Sequence, residues 1–422
     1  MLDITFIKEN PQLVIDSMNN KGENNAQIVQ QLIDKDEKWR QLVHQIDVLR
    51  AKSNKSAKQI GALMASGKKE EAQSIIQETS RSKSAIKELE EQLNLTAEKR
   101  KSLLLRIPNV AHISVPIGHS EEDNQVYGTW GTINTQSWLK PHWDILEKKG
   151  WLDFERGVKV TGAGFPFYLG PLAQLQRALI HFFIDEANKA GYVEMQAPYL
   201  INEDSARGTG QIPDKEDMMY EIPRDAFFAI PTAEVPVTNF HRDEILSEKQ
   251  LPLQYVCHTP CWRREAGSYG KDVRGLNRLH QFEKVELVHF VKPDESYETL
   301  ESLREHVESL LQKLGLAYQT LLMCTGDMGF TQSKKYDVEV WSPGQQRWLE
   351  VSSCSNFEAF QARRMQLRYR KEEKLTEIVH TLNGSGLALP RVLSAIIETY
   401  QTENGRIRVP DILKKYIDRE YL

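Results

Sequence analysis

A long proline-free stretch, residues 23–107, constrains the fold of this chain more than any other feature. Its apolar or small residues recur at steps of three, four and seven, which is the spacing of a coiled-coil seam. The pattern breaks around Gly67 and then resumes, so it predicts two helices of roughly 35 residues each, about 50 Å long, that form an antiparallel hairpin. The seam residues are Ile28, Leu32, Trp39, Leu42, Ile46, Leu49, Ser53, Ile60, Ala72, Ile75, Thr79, Ile86, Leu89, Leu93, Ala97, Arg100 and Leu104.

This hairpin is basic, whereas the chain as a whole is acidic. Residues 27–107 contain 16 Lys and Arg against 11 Asp and Glu, while the whole chain has a formal net charge of −5. The asymmetry indicates a polyanionic partner for the N-terminal part. A purely structural or dimerising coiled coil is the alternative, but basic residues toward the tip favour a projecting arm that contacts a polyanion. We expect these contacts from Lys52, Lys55, Lys58, Arg81, Lys83 and Lys87.

The bulk properties describe an ordinary globular protein of two or three domains. The chain has 422 residues, of which 40% are hydrophobic and 27% are charged. Residues 1–22 predict a short strand and then a helix that begins near Asn10 and Pro11. They do not form a signal peptide, and no apolar run approaches a membrane span, so we expect a cytoplasmic protein without a membrane partner.

The four cysteines predict thiols rather than a metal site. Cys257 and Cys261 flank His258 with C-x3-C spacing, but no second cysteine pair accompanies Cys324 and Cys354. Zinc sites need such a second pair of ligands, so strand-borne thiols in a reducing compartment are the better interpretation.

Residues 261–286 predict a site for a polyphosphate. Basic side chains are dense around three glycines in this segment, CWRREAGSYGKDVRGLNRLHQFEKVE, and arginine supplies planar charged forks for phosphate oxygens. The flanking residues alternate, which predicts two strands joined by a glycine-bearing loop. On the second strand His280, Phe282, Lys284 and Glu286 share one face. From these residues alone, a hairpin with a solvated, salt-bridged face is an equally good interpretation.

Two further segments place hydroxyls and carboxylates beside strands. Thr232 and Glu234 follow an apolar strand, where a plain helix cap is the alternative to a binding loop. Glu350 and Ser353 offer the hard oxygens that Mg²⁺ prefers when phosphates supply its other ligands, and capping hydroxyls are the alternative there.

The last informative segment is glycine-rich at residues 383–386 and then helical. We expect these glycines to bring a strand close to a ligand, with Ser385 adding a small donor and acceptor. Arg391 opens an otherwise apolar helix, where a lone charge needs a reason, and Pro390 is harmless in a first turn. The chain contains no Walker A pattern and no G-x-G-x-x-G after a strand, so a P-loop or Rossmann nucleotide site is disfavoured.

The order R-x-E, glycine-bearing loop, R-x-x-Q-F-x-K-V-E resembles motif 2 of the class II aminoacyl-tRNA synthetases. The sequences REAGSYGKDVRGL and HQFEKVE are similar to those of bacterial-type seryl-tRNA synthetases. The N-terminal sequence MLDITFIKENPQLV and the helical arm also resemble theirs. The helix and strand ending near Pro198 resemble motif 1, and the glycine-rich segment with Arg391 resembles motif 3. Some 30 residues follow motif 3, where the prolyl, threonyl and histidyl enzymes carry an anticodon-binding domain, and this favours the seryl type.

The resemblance implies an α+β fold. In this fold, a long antiparallel helical coiled-coil arm comes first. A class II synthetase catalytic domain that contains an antiparallel sheet follows it. The expected boundaries are 1–107 for a tRNA-binding domain with its hairpin at about 27–107, and 108–422 for the catalytic domain. Within the latter, motif 1 is expected at about 174–200, motif 2 at about 255–290 and motif 3 at about 383–402.

The resemblance also implies the activity of a serine–tRNA ligase. Such an enzyme activates serine with ATP to give seryl-adenylate and pyrophosphate. It then transfers serine to the terminal adenosine of tRNA(Ser), and of tRNA(Sec) where the host has it. The implied catalytic residues are Arg263, Glu265 and Arg391. The implied serine site is Thr232, Ala233, Glu234, Arg263, Glu286 and Ser385. The implied ATP site is Arg263, Arg264, Glu265, Arg274, Phe282, Glu350, Val351, Ser352, Ser353 and Arg391.

The same resemblance implies Mg²⁺ at Glu350 and Ser353, no zinc, and a homodimer. Two alternatives belong to other functional classes. A non-catalytic RNA-binding homologue should have lost ATP-binding residues, and none is lost here. An amino acid:carrier-protein ligase should lack the long basic arm, which this sequence contains.

Overall fold

The computed structural model describes residues 1–213, 217–265 and 274–422. These residues form two compact units. One comprises Leu2–Asn19 and Glu23–Pro108, and the other comprises Asn109–Leu422 with Met1 and Asn20–Gly22. Residues 266–273 of the predicted phosphate segment lie outside the described ranges, and they include Gly267, Gly270, Lys271 and Asp272.

The N-terminal unit is helical throughout its named elements. These are α1 (Ile4–Glu9), α2 (Pro11–Asn20), α3 (Gln27–Ala65) and α4 (Lys69–Leu105). The expectation of a short strand before Asn10 is wrong, because the side chain of Asp3 caps α1 by accepting a hydrogen bond from the Thr5 amide at 2.7 Å. An N-cap of this kind satisfies an amide that the first helical turn leaves unpaired.

Helices α3 and α4 form the predicted antiparallel hairpin. They pack along the seam, with Ile28, Leu32, Leu42, Ile46, Ala72 and Leu104 buried. Cross-helix ion pairs run in antiparallel order, from Arg50 with Glu90 at 2.7 Å to Lys52 with Glu78 at 2.6 Å nearer the turn. Gly67 occupies the turn with φ of +78°, a conformation that favours glycine. The coiled-coil arm predicted from the seam is therefore confirmed.

One carboxylate is fully buried at the end of the hairpin that lies away from Gly67. Asp36 accepts bonds from Lys8 of α1 at 3.1 Å, from Arg40 at 2.9 Å and from Arg100 of α4 at 2.7 Å. Burial disfavours the charged form of Asp36, but the bonds from Lys8 and Arg100 outweigh it and hold its pKa below the usual range. This cluster joins α1, α3 and α4.

The larger unit contains strands and helices in mixed order. Its helices are α5 (His142–Lys149), α6 (Phe154–Val160), α7 (Pro171–Lys189), α8 (Glu203–Thr209), α9 (Glu234–Thr238), α10 (Ser296–Leu314), α11 (Phe360–Arg364) and α12 (Leu389–Thr399). Its strands are β1 (Gln125–Trp130), β2 (Leu152–Asp153), β3 (Phe167–Tyr168), β4 (Val193–Met195), β5 (Leu200–Asn202), β6 (Glu221–Ile222), β7 (Phe227–Ala229), β8 (Ile245–Ser247), β9 (Leu253–Trp262), β10 (Gln281–Val291), β11 (Tyr318–Leu322), β12 (Lys334–Ser342), β13 (Arg347–Glu358), β14 (Arg368–Glu372), β15 (Leu375–Ile378) and β16 (His380–Ala388).

An eight-stranded sheet forms the centre of this unit. Its order is β1-β11-β12-β13-β16-β10-β9-β4, with every neighbouring pair antiparallel except β4 and β9. Smaller sheets β15-β14-β8, β5-β7-β6 and β2-β3 flank it. The predicted α+β fold with an antiparallel sheet is therefore confirmed.

Side-chain alternation along β10 determines what faces the core. Val285 and Leu287 belong to a hydrophobic core that includes buried residues of α7, α10 and α12. Lys284 and Glu286 alternate with them, so they point to the opposite side of the strand, where a cavity lies.

Candidate active site

A cavity of about 460 Å³ brings together segments that lie far apart in the sequence. The lining residues come from β10, β13 and β16, from the segment just after β9, from the loop before α9 and from the start of α12. Most of the predicted serine and ATP residues border it. They are Thr232, Glu234, Arg263, Glu265, Phe282, Glu286, Glu350, Val351, Ser352, Ser353, Ser385 and Arg391.

Arg263 is fixed just beyond the end of β9. Its backbone amide donates to the carbonyl of His280 at 2.9 Å, and its Nε donates to the carbonyl of Pro231 at 3.2 Å. The guanidinium carbon lies 5.2 Å from the centre of the Phe282 ring, which is cation–π distance. Held in this way, the guanidinium is a planar, permanently charged fork that suits carboxylate and phosphate oxygens.

Glu265 and Arg264 follow Arg263 but have different surroundings. Arg278 donates to the Glu265 carboxylate at 2.5 Å, which leaves further acceptor positions on its oxygens. Glu265 has φ of +50°, which is uncommon for a residue other than glycine. Arg264 donates a hydrogen bond to Asp217 at 2.8 Å, and it is not among the described residues that line the cavity.

Two other predicted residues also lie outside the described lining. Arg274 stacks over the Trp143 ring at 5.0 Å and pairs with Asp144 at 3.4 Å. Ala233 is fully buried in the core beside α9. The structure thus places Arg274 and Ala233 away from the cavity surface.

Glu234 and Glu286, with Thr232, Lys284 and Asn383, form what we call the acidic pocket. Lys284 donates to the hydroxyl of Thr232 at 2.8 Å and pairs with Glu286 at 2.5 Å. The amide of Asn383 donates to Glu286 at 2.9 Å. The Glu286 carboxylate is nearly fully buried, and the ion pair with Lys284 and the hydrogen bond from Asn383 hold it in one position.

The pKa of Glu234 is strongly perturbed. Its burial and the nearby Glu286 carboxylate raise the pKa of Glu234 to about 7, while the amide of Gln361 and the charges of Lys284 and Arg263 act in the opposite direction. Because a neighbouring cation or hydrogen-bond donor favours the ionised form, a ligand ammonium or hydroxyl placed here would stabilise the Glu234 carboxylate.

Glu350 and Ser353 present oxygens from β13. The Ser353 hydroxyl donates to the Glu350 carboxylate at 3.1 Å. Arg391 donates to the Glu350 carbonyl at 2.8 Å and to the Asn277 carbonyl at 3.1 Å, so its guanidinium is fixed beside the strand. Partial desolvation in the cavity opposes ionisation of Glu350, whose side chain is 45% exposed, but Lys335 and Arg391 outweigh it and hold the pKa of Glu350 below its usual range.

Ser385 borders the cavity, but the glycines on either side of it face the core. A Cβ atom on Gly384 would meet Leu303 at 3.2 Å, and one on Gly386 would meet Leu287 at 3.0 Å. The space beside both glycines is therefore occupied by core side chains. Their role is the close packing of β16, and the expectation that they admit a ligand is wrong.

Five residues that shape the cavity were not assigned a role from the sequence. Lys284 was recognisable in principle, because it shares a strand face with Phe282 and Glu286. The others act through contacts between segments that are distant in the chain, which spacing does not show. The five are Lys284, Asn383, Lys335 and Arg278, which line the cavity, and Gln361, which lies behind Glu234.

The four cysteines are free and buried. Burial raises the pKa of the Cys257 thiol to about 11, as for an inert structural thiol. Within residues 1–213, 217–265 and 274–422, no three His, Cys, Asp or Glu side chains are placed to hold a metal ion by themselves. None of the helices in these same ranges combines the length and apolar content needed to cross a bilayer.

The six basic hairpin residues predicted to contact a polyanion are all exposed. They lie on the half of the hairpin nearer Gly67, three on each helix. Lys52 pairs with Glu78 at 2.6 Å, and both side chains are 56% exposed. The hairpin thus presents positive charge to solvent along both of its helices.

Comparisons with known proteins match both units. Residues 1–111 match the family model of the seryl-tRNA synthetase N-terminal domain, and residues 220–400 match that of the tRNA synthetase class II core domain (G, H, P, S and T). The chain is 54% identical to the serine–tRNA ligase of Salinibacter ruber, covering 99% of this chain and 98% of that protein. Seryl-tRNA synthetase of Pyrococcus horikoshii, solved with ATP, has a TM-score of 0.94 at 36% identity over 100% of this chain and 99% of that one. The cytoplasmic serine–tRNA ligase of Naegleria fowleri, solved with AMP, has a TM-score of 0.87 at 27% identity over 100% and 98%.

Proposed function

The chain belongs to the seryl-tRNA synthetase family of class II aminoacyl-tRNA synthetases, and we propose how its cavity divides the reaction. It is a serine–tRNA ligase that uses ATP. One observation carries the proposal: a single cavity brings the basic side chains of Arg263, Lys335 and Arg391 together with the acidic pocket around Glu234 and Glu286. The basic group suits the phosphates of ATP, and the acidic pocket suits the ammonium and hydroxyl of serine.

We assign the nucleotide to the side of Phe282 and Arg391. The Phe282 ring and the fixed Arg391 guanidinium would hold adenine between them, since both stack on aromatic faces. Glu265 retains free acceptor positions beyond its bond to Arg278, and these would accept from the adenine amino group. Arg264 and Arg274 have protein partners outside the cavity, so we keep only a weaker role for them with the outer phosphates.

In the first step, a carboxylate oxygen of serine attacks the α-phosphorus of ATP. The bond from this phosphorus to the oxygen that bridges to the β-phosphate breaks, and pyrophosphate leaves with the electron pair. Because the nucleophile is already ionised, no general base is required. Catalysis then consists of positioning and charge stabilisation, for which Arg263 is placed to bridge the serine carboxylate and the α-phosphate.

The acidic pocket would select serine by hydrogen bonds. Glu286 and Glu234 accept from the ammonium and the hydroxyl, and Thr232 and Ser385 complete the contacts. A site built to bond a hydroxyl rejects the analogue that lacks it by roughly 10⁴–10⁵, because its buried polar groups would be left unpaired. We therefore expect alanine to be rejected without an editing site.

The residues of β13 fit a magnesium ion bound together with ATP. Glu350 is held ionised by Lys335 and Arg391, and the Ser353 hydroxyl lies 3.1 Å from its carboxylate. Hard oxygens of this kind, few in number, are what Mg²⁺ takes from a protein when phosphates provide other ligands. When bound there, the ion would neutralise charge on the phosphates.

In the second step, a ribose hydroxyl of the terminal adenosine of tRNA attacks the seryl-adenylate carbonyl. The bond from the carbonyl carbon to the phosphate oxygen breaks, AMP leaves with the electron pair, and the proton of the hydroxyl is released. We propose that residues 1–107 form the tRNA-binding domain and that residues 108–422 form the catalytic domain. The exposed basic residues of the hairpin would contact RNA phosphates and so respond to the shape of the tRNA. Whether tRNA(Sec) is also charged depends on its presence in the host.

We also propose a homodimer and a cytoplasmic location. The edge strand β4 and the neighbouring sheet expose Val193, Leu200 and Phe227, which are 60%, 46% and 40% exposed, and apolar groups of this kind suit a subunit interface. A sedimentation mass of twice 48.6 kDa would support the dimer, and a mass of 48.6 kDa would contradict it. Four free thiols suit a reducing compartment.

The proposal is tested by ATP–pyrophosphate exchange with each of the twenty amino acids. We expect exchange with serine alone, and alanine is the matched control because it differs only by the hydroxyl. Exchange with none of the twenty would contradict catalysis in this cavity. Exchange with alanine or glycine only would instead indicate a carrier-protein ligase.

A further inference from the structure

The side chain of Gln361 is fully bonded in the layer behind the acidic pocket. Its Nε2 donates to Glu234 at 2.7 Å and to the carbonyl of Thr209 at 3.2 Å. Its Oε1 accepts from the hydroxyl of Thr381 at 2.7 Å. Gln361 is 1% exposed, so these contacts tie together α8, α11, β16 and the start of α9 without solvent.

The Thr209 carbonyl determines which way the amide points. A glutamine amide can be turned over, exchanging its oxygen and nitrogen, and the surrounding bonds decide between the two orientations. Here the Thr209 carbonyl can only accept, so it requires the nitrogen on its side. The Thr381 hydroxyl can then donate to the oxygen. Glu234 is therefore faced by an amide N–H and not by a carbonyl.

We propose that Gln361 is the positioning residue that aims the Glu234 carboxylate at the serine substrate. This inference rests on the proposed function of the acidic pocket. One carboxylate oxygen of Glu234 is held by the amide, and Glu234 is one of the residues that line the cavity. When it is ionised, Glu234 can act only as an acceptor toward the ligand, which is what an ammonium or a hydroxyl requires.

The charges around Glu234 make this contact sensitive to pH. Glu286 and Lys284 face it from β10, Arg263 faces it from the end of β9, and Gln361 faces it from α11. Glu286 and burial favour protonation of Glu234, whereas Gln361, Lys284 and Arg263 favour ionisation. Serine needs the ionised form, so in the native protein kcat/KM for serine should rise as the pH passes through about 7.

Two substitutions test the proposal in opposite ways. Gln361→Met keeps the length of the side chain but removes the donor. It should lower kcat/KM for serine in pyrophosphate exchange at pH 7 by about tenfold or more, mainly through KM, and shift the rising limb to higher pH. Gln361→Glu places two carboxylates in contact, and these must share a proton. Its kcat/KM should fall as the pH rises through about 7, where the native value rises.

Thr381→Val is the matched control for orientation. It removes the hydroxyl that the amide oxygen accepts from and leaves the bond from Gln361 to Glu234 in place, so we expect only a two- to threefold loss. The KM for ATP and the melting temperature of each variant report whether the fold is kept. A residue with a merely structural role would not change the pH profile.

The inference fails if the native protein activates serine but Gln361→Met and Gln361→Glu keep its pH profile and a serine kcat/KM within twofold. A native protein that does not activate serine would instead contradict the proposed function. The two failures are therefore distinguishable in one set of assays.

Discussion

The cavity and the helical hairpin both carry many charges, but they organise them differently. In the cavity each charged group has fixed neighbours, as when Glu286 is held between Lys284 and Asn383. Along the hairpin the ion pairs are exposed, as between Arg50 and Glu90, whose side chains are 57% and 41% exposed. Exposed pairs contribute about 0–1 kcal/mol, whereas breaking a buried pair costs about 3–5 kcal/mol. We conclude that the cavity depends on individual residues and the hairpin on its summed field.

The largest effect is expected from Arg263→Ala. This change removes the guanidinium that would bridge the serine carboxylate and the α-phosphate. We expect serine-dependent pyrophosphate exchange to fall by about 10³-fold or more, mostly in kcat, because the contact strengthens as charge develops.

The adjacent arginine is the matched comparison for this prediction. Arg264 bonds Asp217 outside the described lining of the cavity, so Arg264→Ala should cost less than about tenfold. Equal losses in the two variants would show that the cavity does not distinguish these residues as we propose. The assay is exchange at saturating ATP with serine varied.

The sequence predicted the segments of both regions but few of the contacts between segments. The hairpin was predictable because a repeat of three and four residues depends only on neighbours along one helix. The cavity segments were predictable because Arg, Glu and Gly cluster around residues 261–286. The bonds from Lys284 to Thr232 and from Gln361 to Glu234 join residues far apart in the chain, and no spacing rule contains them.

The predictions from the sequence that proved wrong also have local physical causes. The first residues alternate enough to predict a strand, but the Asp3 cap makes α1 a helix. Gly384 and Gly386 were expected to admit a ligand, but on a strand two residues of equal parity share one face, and that face is the core. Sequence alone did not show which face that would be.

One buried carboxylate in the hairpin is an exception to this contrast between buried and exposed charges. Asp36 is fully buried with three cationic partners, so it should behave like a cavity residue although it lies in the arm. Asp36→Asn should destabilise the helical unit by about 2–3 kcal/mol, because Lys8, Arg40 and Arg100 lose the negative charge and one of the two oxygens that they share. Hydrogen exchange of the α3 and α4 amides in the full chain would measure the change.

The pH dependence of that stability has a defined sign. The pKa of Asp36 is lower in the folded than in the unfolded state, so the stability that its carboxylate contributes is complete above the unfolded-state pKa of about 4. This stability is lost as the pH falls through the folded-state pKa. Asp36→Asn should therefore flatten the acid side of the stability curve. Asp34→Asn, two residues away and exposed, is the control that should leave it unchanged.

The smallest effect is expected from single basic residues of the hairpin. Lys55 is exposed and should contact tRNA phosphate as one of several charges, so Lys55→Ala should raise KM for tRNA less than threefold and leave pyrophosphate exchange unchanged. A plot of the logarithm of the tRNA association constant against the logarithm of the salt concentration should become shallower by about one unit for each phosphate that the variant no longer neutralises.

Replacing Lys55, Lys58, Lys83 and Lys87 together should raise KM for tRNA by more than about thirtyfold, since the effects of separate phosphate interactions multiply. Lys148→Ala, which removes an exposed charge of the other unit, should change neither quantity. If Lys55→Ala alone abolished charging, the hairpin would depend on individual residues as the cavity does, and an unaffected quadruple variant would place the tRNA-binding surface elsewhere.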